Sequence, residues 1–208
     1  MKLLLALAIT LLCNFLAAED WEALKGAFKI QGDSIDLKYT NNDFLSSEKA
    51  MELPFKLPDS YRKYCNTFGP GTMHFGGIEL FISVPCDSNE NINVASYSKK
   101  AKGITDYHLK NSHNIKDENI TLAKRLIPFG SLDSAYLCWD PSEIDASGEP
   151  AIYLINYENY AGDFTKVATN IYALISAIGI QGKFGGIYEK TQGDFELKFV
   201  GIKRNVKP

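Results

Sequence analysis

The stretch from Leu126 to Asp140, LIPFGSLDSAYLCWD, constrains the fold more than any other. An apolar run ends on Pro128-Phe129-Gly130. A short polar turn follows, and an alternating segment closes on Trp139-Asp140. The pattern predicts two strands, about Leu122 to Phe129 and Ser134 to Asp140, joined tightly. Two strands alone are marginal in water, so further strands and helices must cover this unit. Ala151 to Tyr157 is nearly all apolar or aromatic, which predicts a buried strand beside it.

The rest of the chain supplies alternating helix and strand signals. Trp21, Leu24 and Phe28 share a helical face, and Ile35, Leu37 and Tyr39 alternate as in a strand. Asp43 can cap a helix running to about Leu53, with Phe44, Leu45 and Met51 inward. Pro58 suits the first turn of a helix carrying Tyr61, Tyr64, Cys65 and Phe68. Gly69-Pro70-Gly71 stops that helix. Strands are expected on either side of Gly76-Gly77. Residues 91–119 are polar and weakly patterned, predicting one or two short helices among mobile loops. Asp163 is a candidate cap for a helix whose apolar stripe runs from Phe164 to Ile178. A hairpin, Lys183 to Lys190 with Asp194 to Ile202, is expected near Gln192-Gly193. No repeat or long linker divides the chain, so residues 19–208 are expected to form a single domain.

Residues 1–18 stand apart. A basic Met1-Lys2 precedes an apolar run from Leu3 to Leu12, broken by Thr10, and charge begins only at Glu19-Asp20. This is the pattern of a secretory signal peptide cut near Ala18, although Leu16 is not the small residue of an ideal site. The run is short for a membrane span, which needs ~20 residues. The mature chain is therefore expected to be secreted or periplasmic, with no transmembrane span. Losing Lys2 takes the formal charge from −3 to −4, a balance that argues against nucleic acid as a partner. Cys65, Cys86 and Cys138 remain. Cys138 is expected to be buried and free. Cys65 and Cys86 form either a disulfide or two further buried thiols.

Motifs for chemistry are absent. The glycines at 69–71 follow a helix and those at 182–186 precede a strand, so neither forms a phosphate loop. His74, His108 and His113 are scattered, and there is no Cys/His cluster for zinc. No metal or cofactor is expected. The carboxylates Asp133, Asp140, Glu143, Asp145 and Glu149 flank one strand and its loop. They are candidates for a negative rim facing a basic partner. Asn119-Ile120-Thr121 is a glycosylation sequon if the host is eukaryotic. Tyr157 and Tyr160, near the exit of the buried strand, suit protein recognition because rigid aromatic rings give contact area at low entropy cost.

Two stretches resemble the SUKH superfamily, which includes bacterial toxin-immunity proteins and yeast regulators of cell-wall assembly. The first is Phe44-Leu45-Ser46-Ser47-Glu48 through LPFKLPDSYRKYCNTFGPG: a helix with Glu48, then Leu57-Pro58, Tyr61 and a glycine turn at Gly69/Gly71. The strand from Ile78 to Ile82 follows it. The second is Ile127-Pro128-Phe129-Gly130 with the strand ending on Trp139-Asp140, and the segment from Phe164 matches the closing helix. The resemblance covers residues 43–178. It departs from the family pattern at Ser131-Leu132-Asp133-Ser134, where a glycine-aspartate step is usual.

The resemblance implies an α+β fold, a curved, mainly antiparallel sheet with helices packed around it. It also implies non-enzymatic binding of a protein, such as a basic toxin or an envelope protein. The expected partner surface is Asp133, Asp140, Glu143, Asp145, Glu149, Tyr157 and Tyr160. The alternative is a secreted, carboxylate-dependent hydrolase of glycans using acids such as Asp140 and Glu143.

Overall fold

The computed structural model describes residues 19–32, 38–85, 89–111, 115–156, 163–179, 183–184, 188–189 and 196–203. Local chemistry sets most element boundaries. Helix α1, Trp21–Gly26, starts where the Asp20 carboxylate accepts from the Ala23 N–H at 2.9 Å. Strand β1, Lys29–Gly32, follows. Helix α2, Asn41–Ala50, opens with a capping box: the Thr40 hydroxyl accepts from the Asp43 N–H, and the Asp43 carboxylate accepts from the Thr40 N–H at 2.7 Å. Helix α3, Asp59–Thr67, begins after Pro58. Strands β2, Gly71–Phe75, and β3, Ile78–Ile82, form a hairpin across Gly76 and Gly77, both at positive φ. Helices α4, Val94–Asn111, and α5, Asp117–Arg125, come next. Strands β4, Ile127–Leu132, β5, Ala135–Ile144, β6, Pro150–Asn156, and β7, Asp163–Ala168, form a meander. Helix α6, Ile171–Gly179, precedes the short β8, Lys183–Phe184, and β9, Tyr188–Glu189, and the chain returns in β10, Leu197–Gly201.

Eight strands make one sheet in the order β1-β10-β2-β3-β4-β5-β6-β7. Among the described strands of this sheet, β1 and β10 alone pair in parallel. The fold is therefore α+β and mainly antiparallel, with β4 and β5 at its middle. On one face lies the main core. Its largest fully buried side chains include Trp139, Tyr61, Tyr64, Phe68, Phe75, Phe129 and Phe199. A β-bulge at Phe129 lets its ring stack on Trp139 at 4.2 Å. Tyr61 meets the same indole edge-on at 5.2 Å and donates its hydroxyl to the Ser83 carbonyl at 2.9 Å. The opposite face buries Leu126, Cys138 and Ile155, with Leu122 of α5 and Tyr136 packed against them. Helix α4 lies on that side, with Tyr97 against Phe81 and Tyr136.

Several elements differ from the sequence expectation. The expected strand over 33–39 falls mostly outside the described residues, and the strand seen is β1, just before it. Thr40, rather than Asp43, caps α2, and Leu45 faces solvent at 48% exposure. Residues 122–125 end helix α5 instead of starting a strand. Strand β5 runs past its expected end at Asp140, on to Ile144, through a bulge. Phe164 to Ala168 is strand β7, paired with β6; the helix starts only at Ile171, where Asn170 Oδ1 accepts from the Ala173 N–H at 2.7 Å. The C-terminal hairpin is not formed as expected. β8 pairs with β9, while β10 inserts between β1 and β2.

Candidate functional site

The predicted acids do not gather on one rim. Asp140 points to the α4–α5 side of the sheet and is fully buried. Arg125, in the last turn of α5, grips it from two nitrogens: Nη2 donates to Oδ2 at 2.7 Å and Nε to Oδ1 at 3.0 Å. The bulge after Asp140 brings the Ser142 N–H and hydroxyl to Oδ1 at 2.9 and 2.7 Å. Burial disfavours the charged form of Asp140, but Arg125 and Ser142 outweigh it and hold the carboxyl below its ordinary range. Glu143, half-exposed, is paired with Lys166 of β7 and accepts from the Tyr153 hydroxyl at 3.1 Å. The Lys166 bond is the main cause of its lowered pKa.

Glu149 belongs to the other side of the sheet. It is buried and accepts from the Ser60 N–H at 2.8 Å and the Ser60 hydroxyl at 2.6 Å. Pro58 offers no side-chain cap to α3, so Glu149 caps that helix from a distant loop. Ser60 Oγ in turn accepts from the Ile171 N–H at 3.2 Å, joining the starts of α3 and α6. Burial raises the Glu149 pKa, and the Ser60 bonds offset this only in part.

The remaining acids shape turns. Asp145 closes its own loop through the Ser147 N–H at 2.8 Å, the Ser147 hydroxyl at 2.6 Å and the Glu149 N–H at 3.0 Å. Asp133 sits at the far end of β5, at φ 48°, and its carboxylate accepts from the Glu79 N–H at 2.8 Å. Each of these acids has an internal partner. Tyr157 and Tyr160 lie outside the described residues.

Cys65 is a free thiol in the main core, and Cys86, suggested as its partner, lies outside the described residues. Cys138 is also free and fully buried, as expected. Burial pushes both thiols above the usual range. Among the described residues no cluster of three or more His, Cys, Asp or Glu side chains could hold a metal. Nor is any helix there long and apolar enough to cross a membrane.

Residues that the sequence reading passed over lie on α4. The helix leaves a crevice of about 310 Å³ against the sheet, with Phe81, Tyr97, Tyr136 and Ile104 among its lining and Lys100 at its edge. The helix comes close because Val94, Ser98, Ala101 and Thr105 form its buried seam. That spacing is helical, but three of the four are small or polar, so the apolar signal is faint.

A family model described as SMI1-KNR4 cell-wall, within the SUKH group, matches residues 47–175, more than half of the chain. The match runs from within α2 to within α6 and takes in β2 through β7. No curated protein and no solved structure gives a significant match.

Proposed function

We propose a protein-binding role without catalysis for this chain, which belongs to the SMI1-KNR4 cell-wall family of the SUKH superfamily. The family match across the central sheet carries the reading, because the superfamily's roles in immunity and cell-wall regulation rest on proteins bound rather than on bonds broken. The structure gives it chemical support. Asp140, Glu143 and Glu149 are tied to Arg125, Lys166 and Ser60, an arrangement suited to holding elements together. Residues 1–18 have the pattern of an export signal, so the binding takes place in the envelope or outside the cell. There the chain acts either as an inhibitor of a toxin or as an envelope regulator.

Affinity capture from the source organism, followed by reconstitution of both purified proteins, tests this. A defined complex with one protein is expected. Absence of any such complex, together with glycan turnover that is lost in a Glu143→Gln variant, would replace the proposal with a hydrolase. Export is tested separately by mass spectrometry of the mature protein. A chain starting near Glu19 is expected, and an intact Met1 would refute it.

A further inference from the structure

We infer that the crevice between α4 and the sheet receives an acidic segment of the partner protein, with one apolar side chain of that segment inserted against Phe81, Tyr97 and Tyr136. This rests on the protein-binding reading above and names the surface and the partner's chemistry. The expectation from sequence was an acidic surface for a basic partner. Asp140 and Glu149 are buried, and the exposed Asp133, Glu143 and Asp145 are each held by a partner within the chain, whereas α4 carries the opposite sign.

Shape and charge both point to this occupant. The crevice, of about 310 Å³, is at the small end for a ligand site, a fit for one or two side chains. Ile104 of the crevice lining is 37% exposed, and Tyr107, one turn on, is 65% exposed and carries the apolar surface past the crevice. Helix α4 carries Lys99, Lys100, Lys102 and Lys110 against a single acid, Asp106, within a chain of net charge −3. Lys99 and Lys100 are exposed, and neither has an ion-pair partner among the described residues. Lys102 lines a separate hollow and donates to the Lys124 carbonyl at 3.3 Å. Among the described residues the nearby carboxylates are Glu90 in the crevice lining and Glu52 beside Lys99 and Lys102. They moderate the positive field without pairing the lysines. A concave, aromatic floor with Lys100 in its lining and Lys99 beside Lys100 in the adjoining hollow fits an acidic peptide with an apolar anchor better than a flat anionic membrane, which needs no crevice.

The test is heteronuclear NMR on the isotope-labelled mature chain, titrated with a synthetic heptapeptide of aspartates around a central Trp. Shifts are expected at Tyr97, Lys100, Ile104 and Tyr136, with affinity falling as salt rises. Affinity should drop at least tenfold when the central Trp is replaced by Ala, and again in a Lys99→Glu/Lys100→Glu chain. Both lysines are exposed, so that chain is expected to fold; Ile104→Asp gives a second variant on the apolar side. Shifts confined to other surfaces, equal binding of the Ala peptide, or equal binding of phosphatidylserine vesicles would overturn the inference. The same variants are assayed against the reconstituted partner. Undiminished partner binding sinks this surface while leaving the protein-binding reading intact. A chain that forms no complex in any version sinks the reading itself.

Discussion

Arg125 and Asp140 decide how the middle of the sheet tolerates charge. The carboxylate is fully buried inside β5, and removing its cation leaves it with only Ser142. Arg125→Ala is therefore expected to cost about 3 kcal/mol, near the low end for breaking a buried pair because the guanidinium is partly exposed. For a chain of this size that lowers Tm by roughly 6–12 °C in a thermal melt. The pH dependence follows from the lowered pKa of Asp140. Its contribution is present above the ordinary aspartate value of about 3.9 and is lost as pH falls through the lower folded value. The Arg125→Ala chain should therefore show a weaker loss of stability below that pH. Glu149 has the opposite sign. Its pKa is raised, so its contribution is present below about 4.3 and is lost as pH rises through the raised value. Denaturant melts of Glu149→Gln should accordingly gain on the native chain between pH 4 and pH 7. Gln also keeps an acceptor for the Ser60 N–H.

Among the elements, α4 shows how packing depends on small residues. Ala101 is 2% exposed in a seam otherwise made by Val94, Ser98 and Thr105. Ala101→Leu should cost about 1–3 kcal/mol through overpacking, measured by chemical denaturation. The elements also show what the sequence made readable. Tyr61, Tyr64, Cys65 and Phe68 marked α3 plainly, because large apolar side chains at helical spacing leave one solution. The sequence pattern extends the helix over β7 because Phe164 and Val167 continue the stripe of Ile171, Leu174 and Ile178. Pairing with β6 overrides that local pattern, a tertiary effect that no window of the chain contains. The acids were legible as a group but not in their roles. Their partners Arg125, Lys166 and Ser60 lie 15, 23 and 89 residues away in sequence.

At the scale of the molecule, the family match ends before the sheet does. Strands β1 and β10 and helix α1 lie outside residues 47–175; the two strands extend the sheet beyond β2, and α1 and β10 close the main core. Phe199 of β10 is fully buried and packs on Phe68 at 5.3 Å, so Phe199→Ala is expected to cost about 3–5 kcal/mol, read from the shift in denaturation midpoint. The additions thus complete the scaffold, and they leave free the α4 side of the sheet, the proposed binding surface. The claim that this scaffold binds a protein and breaks no bond is tested most directly by calorimetric titration of the purified chain with its reconstituted partner. Saturable binding is predicted, with an affinity that falls as salt rises and is unchanged by Glu143→Gln. No heat of binding, with a glycan-cleaving activity that disappears in the same Glu143→Gln chain, would contradict it.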